Sequence, residues 1–185
     1  MKIHPAVSMI ISAALGLQAL FLSGCASGYT RPVGQAATPF RASAQNPVAK
    51  VSVQVTPEVS EKLKNSFKFD QQQLVSKVEL ALSNRQLFNK EGKENTVAME
   101  ILVTHVRVRN TFNAVMWGAM SGNDSIKGDV LLRDAAGTIV DRFHVDTSYA
   151  LGGWAGGQDS MRMNWLYEAF AKQVVTALSG ETKKG

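Results

Sequence analysis

The chain contains one cysteine, Cys25, and this residue lies in the longest uncharged stretch of the sequence. A single thiol cannot form a disulfide within the chain, and a structural zinc site needs several thiolate or imidazole ligands. Two roles remain for Cys25. It is either a small, buried, unreactive side chain or a nucleophile that becomes covalently modified.

The residues that precede Cys25 have the order of a secretory signal. Lys2 supplies a positive start, the stretch Ile3–Gly24 has no Lys, Arg, Asp or Glu, and it ends in small residues. The sequence Leu-Ser-Gly-Cys at 22–25 resembles the lipobox of bacterial lipoproteins. In that family the thiol receives a diacylglyceryl group, and the signal is cut directly before the cysteine. An uncleaved anchor is the alternative, because about 20 uncharged residues can span a bilayer.

The lipobox resemblance implies a processed, membrane-attached protein. Cleavage would fall between Gly24 and Cys25, and the acylated Cys25 would anchor the mature chain to a membrane. Ala26 and Ser27 follow the cysteine. In Gram-negative lipoproteins an aspartate directly after the cysteine tends to retain the protein in the inner membrane. The resemblance therefore implies attachment to the outer membrane, facing the periplasm.

Composition limits the rest of the chain to one domain. A chain of 185 residues with 45% hydrophobic residues can build one core. The formal charge of +5 is scattered along the sequence, so we predict no nucleic-acid partner. We divide the chain into a signal at 1–24, a lipidated flexible tether at 25–46, a periplasmic domain at 47–180 and a disordered tail at 181–185.

Periodicity predicts six elements in that domain. Alternating valines at 48–55 predict a strand, and a helix follows from the capping pattern of Asp70 and Gln73 to about Leu87. An earlier helix start near Pro57 is the alternative. Three strands follow at 96–109, 126–133 and 138–150, the last two joined by a tight turn at 134–137. A second helix begins at Asp159 or Ser160 and ends at Gly180.

The order β-α-β-β-β-α predicts an α+β two-layer sandwich. We expect a mainly antiparallel four-stranded sheet with two helices on one face. In the last strand the side chains that should point to the core alternate with polar ones, which indicates a sheet with one polar face. The first set is Ile139, Phe143, Val145 and Tyr149, and the second is Arg142, His144, Asp146 and Ser148.

Two glycine- and tryptophan-containing connections are the candidate binding site. In an antiparallel meander the segments 110–125 and 152–158 should lie side by side, at the start of the second helix. Apolar side chains on such connections are typical of interaction sites, although they can also cover the end of a core. The candidate partner-binding residues are Phe112, Trp117, Trp154, Gly152, Gly153, Gly156 and Gly157.

Methionines near the same end raise the question of a copper site. Thioethers and imidazoles suit Cu(I), and the candidates are Met116, Met120, Met161 and Met163, joined by His105 or His144. On a helix, however, Met161 and Met163 point about 200° apart. Packing against tryptophan explains these methionines better, and we predict neither a metal site nor a cofactor.

Motifs for catalysis are incomplete in this sequence. The segment Gly118–Gly122 resembles a nucleophile elbow, but Met120 stands at the serine position. The segment Gly152–Gly157 has Trp154 where a dinucleotide fingerprint needs its second glycine, although its backbone amides can hold an anion near a helix start. His144 and Asp146, with Arg107 and Arg109 nearby, are typical of a solvated charge ladder. We predict no catalytic residues and no enzymatic activity.

The pattern as a whole resembles a family of small Gram-negative lipoproteins known only as a domain of unknown function. It is also similar in outline to periplasmic domains of lipoproteins that assist cell-wall synthases and secretion channels. The matching features are the anchor cysteine, the three-strand meander, the glycine pair at its exit and the closing helix, over about 47 to 180. The resemblance implies a non-enzymatic binding or envelope-assembly factor with a protein or cell-envelope partner. The alternative is a periplasmic small-ligand protein that binds Cu(I) or an anion.

Overall fold

The structure, a computed structural model, describes residues 27–32, 38–64, 69–91, 95–109, 122–149 and 159–180. This part of the chain forms five strands and three helices. In chain order they are β1 (Gly28–Thr30), β2 (Val48–Val55), α1 (Pro57–Lys64), α2 (Gln71–Ser83), β3 (Val97–Arg107), β4 (Asp124–Arg133), β5 (Ile139–Tyr149) and α3 (Asp159–Ser179).

The five strands form one sheet in the order β1-β5-β4-β3-β2. The meander β3-β4-β5 is antiparallel, as predicted, and β1 pairs antiparallel with β5, but β2 runs parallel to β3. The fold is therefore a mixed α+β fold, and the predicted four-stranded sheet with two helices fits it only roughly.

The core lies between one face of the sheet and the helices α2 and α3. Alternate residues of the strands, among them Val51, Ile101, Val130 and Phe143, pack against the apolar sides of the two helices, and Phe170 of α3 is fully buried among them. Such burial of one sheet face against amphipathic helices is the main source of stability in a fold of this size. The opposite sheet face, here called the polar face, carries residues such as Asp129, His144 and Asp146.

Strand β1 lies in the segment that we predicted to be a flexible tether, and that prediction is wrong for residues 27–32, which join the sheet, and for residues 38–46, where Phe40 and Ala42 pack on the core. Tyr29 pairs with Val145 of β5, and its ring meets Phe143 edge-on with 6.2 Å between centroids. Arg31 donates to the buried carboxylate of Asp141 over 3.0 Å and also to the Ala177 carbonyl at the end of α3. A three-residue strand gives no periodic signal, because these long-range contacts hold it in place.

Helix α1 was predicted only as the alternative, and the reason is its length. It has eight residues, and Val59 is its buried apolar side chain, so the apolar pair Val59 and Leu63 is too short a repeat to mark a separate helix. The alternative of a helix that starts near Pro57 is right for this segment, but residues 65–68, outside the described part, separate α1 from α2.

Helix α2 begins as predicted and ends earlier than predicted. Asp70 accepts a hydrogen bond from the Gln73 amide and so caps the helix, as its sequence indicates. The helix ends at Ser83 and not at Leu87, because Gln86 adopts a left-handed φ of 57°. The Gln86 amide donates to the Ser83 carbonyl, and the Leu87 amide donates to the Leu82 carbonyl. These two hydrogen bonds close the C-terminal end of the helix.

The β4–β5 turn and the end of α3 follow the sequence prediction. Gly137 has a φ of 81°, and the Asp134 carboxylate accepts from the amides of Ala136 and Thr138. Helix α3 ends at Ser179, followed by Gly180 with a φ of 74°. Among the described residues, no helix has the length and apolarity needed to cross a bilayer.

Candidate binding surface at the loop end of the sheet

Three strand ends and the start of α3 meet at one end of the sheet, which we call the loop end. There Arg107 of β3 pairs with Ser125 of β4, and Asp124 of β4 pairs with Tyr149 of β5. The connections 110–121 and 150–158 both begin and finish at this end, as the meander predicts. The candidate residues Phe112, Trp117, Trp154, Gly152, Gly153, Gly156 and Gly157 lie within these connections, outside the described residues. The structure places only the residues on either side of them.

A buried cluster of three charged residues fixes the roots of both connections. Asp124 is fully buried, and its carboxylate accepts from the Arg109 amide over 2.7 Å and from the Arg109 guanidinium over 3.2 Å. Arg162 of α3 donates to the same carboxylate over 3.2 Å and to the Arg109 carbonyl over 2.9 Å. The exit of β3, the entry of β4 and the start of α3 are thereby joined through charge-assisted hydrogen bonds.

Sequence reasoning placed Arg109 in a solvated charge ladder, and this was wrong. A signal for the buried cluster was nonetheless present. Asp124 stands two residues before Ile126, and Arg162 stands four residues before Leu166, so both charges occupy positions whose periodic neighbours face the core. Opposite charges at inward positions of two elements indicate a buried pair.

The polar face carries a recess of about 580 Å³ at the loop end. Its lining includes both charge signs and small polar groups: His105, Arg107, Gly122, Asn123, Ser125, Lys127, Asp146 and Ser148. Gly122 has a φ of 86°, and a Cβ there would lie 2.7 Å from an Arg107 guanidinium nitrogen. Only glycine allows Arg107 to lie this close to the backbone.

A β-bulge brings His105 into this recess. Strict alternation from Val97 would place His105 with the core residues, but the register shifts between Val103 and His105. Beyond the shift, His105 pairs with Lys127 on the polar face, and Val106 pairs with the buried Ile126. The sequence offered His105 as a possible Cu(I) ligand; the structure places it beside the charged groups of Lys127 and Arg107.

Two cations and one anion line the recess around His105: Arg107, Lys127 and Asp146. Burial lowers the pKa of His105 below its usual range, and the cations Lys127, Lys62 and Arg107 lower it further, against a smaller opposing effect of Asp146. The Lys127 ammonium is bonded to Asp146 over 2.6 Å, so the lining has an excess of one positive charge, which favours an anion over a cation.

The remaining charges of the polar face form exposed pairs between strands. Lys127 pairs with Asp146 over 2.6 Å, and Arg133 pairs with Glu100 over 2.9 Å. His144 contacts Asp129 over 2.9 Å through Nδ1. His144 and Asp146 share one face, as predicted, but each is bonded to a side chain of β4. This is the charge ladder that the sequence indicates.

Two large apolar side chains near the start of α3 are exposed. Trp165 is 46% exposed and Met161, one turn earlier, is 54% exposed. The ring of Trp165 meets Tyr149 edge-on with 5.1 Å between centroids, which places this patch at the loop end. Sequence reasoning missed Trp165. Its position next to Leu166, just outside the apolar stripe of the helix, could have indicated an exposed aromatic side chain.

Met161 and Met163 do not face one common site. Met163 is 3% exposed and belongs to the core, whereas Met161 is exposed, as the helical geometry predicts. Met116 and Met120 lie outside the described residues. Within the described ranges no group of three His, Cys, Asp or Glu side chains is arranged to hold a metal ion.

Comparison with known protein families shows to which family the chain belongs. Residues 38–153, more than half of the sequence, match the DUF4410 family, described as a domain of unknown function. The chain belongs to the DUF4410 family. This membership confirms the expected relation to a domain of unknown function, whereas the lipoprotein character of this DUF4410 protein stays a prediction. No curated protein matches it.

Solved structures similar to this DUF4410 protein include proteins from two bacteria. A single-residue variant of the PelC dodecamer from Paraburkholderia phytofirmans is 13% identical over 84% of this chain and 99% of that one, with a TM-score of 0.47. A second PelC dodecamer structure is 14% identical over 83% and 98%, with a TM-score of 0.46. A PDZ domain protein from Parabacteroides distasonis is 11% identical over 87% and 36%, with a TM-score of 0.40. These scores are too low to carry an argument about function or assembly.

Proposed function

We propose that the protein is a lipid-anchored factor that faces the periplasm from the outer membrane and binds an envelope partner without catalysis. The partner is a protein or a cell-envelope polymer with accessible anionic groups. The observation that carries the proposal is the recess at the loop end, lined by Arg107, Lys127 and Asp146, next to the roots of the two tryptophan-containing connections. The lipobox at 22–25 supports the anchor and the compartment.

The buried cluster of Arg109, Asp124 and Arg162 supports a binding role for this end. Binding residues on connections need roots that do not move, because a loosely held contact loses affinity to conformational entropy. A cluster that joins β3, β4 and α3 supplies such roots. A negatively charged group in the recess beside it would contact Arg107 and compete with Asp146 for Lys127.

The anchor is tested by changing the cysteine. Cys25→Ser should give a precursor that keeps its signal and incorporates no alkyne-tagged fatty acid, whereas the wild-type protein incorporates it. Equal labelling of both proteins would contradict the anchor, and with it the assignment to the outer membrane.

The partner-binding surface is tested by photo-crosslinking in living cells. We place a photo-reactive amino acid at Asn123, which lines the recess. The matched control carries it at Arg142, which is also exposed but lies seven residues before Tyr149 along β5. We expect a discrete macromolecular adduct at Asn123 and none at Arg142. The same adducts at both positions would show that the recess is not the contact surface.

The alternative is a small anion held in the recess alone. It is favoured by the three cations that lower the pKa of His105. Inorganic phosphate should then shift the imidazole signals of His105 in a saturable way, and Lys127→Gln should weaken this binding. Arg133→Gln, which changes another exposed pair on the polar face, is the control and should leave it unchanged. A linear, non-saturating response in all three proteins would rule out the anion.

A further inference from the structure

The first described residues of the chain are held at the loop end of the sheet. The Ser148 amide donates to the Ser27 hydroxyl over 3.3 Å, and Gly28 pairs with Asp146. Ser148 is followed by Tyr149, whose ring contacts Trp165. A continuous series of contacts therefore joins Ser27 to the exposed apolar patch on α3.

The spacing between Cys25 and this contact is very short. Two residue steps separate Cys25 from Ser27, so their Cα atoms lie within about 7 Å of each other however the chain runs. A flexible tether over the 21 residues 26–46 would instead leave an r.m.s. distance of about 25 Å. Because β1 is part of the sheet, an acyl group on Cys25 is held beside the loop end.

The side chains exposed there are of the kind that enter a membrane interface. Trp165 and Met161 are about half exposed and lie one turn apart on α3. Tryptophan and tyrosine are enriched at the level of the lipid headgroups, where an amphipathic ring contacts both water and acyl chains. A patch of this size adds little binding by itself, but next to an acyl anchor it determines which end of the domain meets the bilayer.

We propose that the patch formed by Met161 and Trp165 lies against the membrane leaflet that holds the acylated Cys25. This inference rests on the proposed lipid anchor. It adds that the domain has a fixed orientation, with its loop end towards the bilayer and the β4–β5 turn away from it. Strand β5 has 11 residues and spans about 35 Å, which separates the two ends.

The test uses the complete acylated protein in vesicles of phosphatidylethanolamine and phosphatidylglycerol. Because acylation consumes Cys25, Met161→Cys provides a single free thiol for an environment-sensitive fluorophore. Ala135→Cys, in the exposed β4–β5 turn, is the matched control. With brominated acyl chains in the vesicles, we expect the label at 161 to lose about half of its emission and the label at 135 to lose almost none. Equal or absent quenching in vesicle-bound protein would overturn the proposal.

The design separates failure of this inference from failure of the anchor. Flotation of the acylated protein with the vesicles, and its absence in a Cys25→Ser chain that lacks residues 1–24, reports the anchor independently of any label. Protein that floats without quenching at 161 refutes the orientation alone, whereas protein that does not float refutes the anchor and the orientation together. If the label at 161 is shielded from water only at high protein concentration and is not quenched by bromine, the patch contacts a second copy of the chain and not the membrane, which would overturn the proposal.

A second variant tests the short spacing and leaves the patch intact. The double substitution Tyr29→Ser and Arg31→Ala removes the ring and ion-pair contacts that hold β1. Released, the residues between Cys25 and the packed side chains of Phe40 and Ala42 form the tether, and quenching at 161 should fall several-fold while flotation is unchanged. Undiminished quenching would contradict the dependence of the orientation on β1.

Discussion

Removing the charge of Asp124 should destabilise the domain strongly, although the substitution Asp124→Asn changes almost no volume. The carboxylate is fully buried and accepts four hydrogen bonds from Arg109 and Arg162. An asparagine keeps one acceptor oxygen and turns an NH₂ group towards a guanidinium donor. The two buried cations then lose the carboxylate that they share at the loop end.

The magnitude follows from burial. Removing one partner of a buried ion pair costs about 3–5 kcal/mol, because the remaining charge is left in a medium of low polarity. For a domain of this size, 1 kcal/mol corresponds to about 2–4 °C in Tm, so the Tm of Asp124→Asn should fall by about 6–20 °C.

The matched control is Asp146→Asn on the polar face. Asp146 also pairs with a cation of β4, but its side chain is 38% exposed and that of Lys127 is 41% exposed. Water and salt screen such a pair, so its loss should cost at most about 1 kcal/mol. The two variants share the same chemical change and differ in burial.

The assays are thermal and urea unfolding of both variants, with amide exchange as a local measurement. The Arg109 amide donates directly to Asp124 over 2.7 Å, so its exchange should accelerate more than that of amides in the middle of β3. If Asp124→Asn melts within about 2 °C of Asp146→Asn, the buried cluster does not stabilise the loop end as argued.

Three further predictions concern other ionisable groups. Burial raises the pKa of Tyr167 to about 12; the unfolded chain releases this proton near pH 10, so the free energy of unfolding should fall as pH rises from 10 to 12. Ultraviolet titration should show one late phenol that Tyr167→Phe removes, and three phenols titrating together near pH 10 would contradict this. The pKa of His105 is lowered by burial and then by Lys127; the unfolded chain protonates first, so acidification below pH 6.5 should reduce the free energy of unfolding, and less so in His105→Gln. Imidazole signals that report an ordinary pKa for His105 would refute the effect. Arg31→Ala leaves the buried Asp141 carboxylate without its cation and should cost about 3 kcal/mol, with accelerated amide exchange along the β1-facing edge of β5; unchanged exchange there would mean that Arg31 does not hold β1.

The elements that the sequence predicted are those with a repeated local signal. The strands of the meander β3-β4-β5 have 10 or 11 residues each, with apolar side chains at most of their inward positions, and α3 combines a long apolar stripe with a glycine stop. In both cases the signal is repeated over many residues, so one irregular position does not obscure it.

The features that were missed depend on contacts between distant parts of the chain. Strand β1 has three residues and is held by Phe143, Asp141 and Ala177, more than a hundred positions away. The bulge before His105 is likewise visible only from the pairing of β3 with β4. Without that pairing, alternation places His105 on the wrong face of the sheet.

The position of β1 also affects which partners can reach the recess at the loop end. With a long tether, the recess and the connections of the loop end could meet a partner anywhere within reach of the membrane. With Ser27 bonded at Ser148, the recess that includes Ser148 and Asp146 would lie beside the proposed lipid attachment point. In the proposed orientation the opposite end of β5 points away from the bilayer, so a partner bound in this recess would have to approach along the membrane surface or be part of it. The two proposals together therefore favour an integral outer-membrane protein, or a polymer that passes close to the periplasmic leaflet, over a component free in the periplasm.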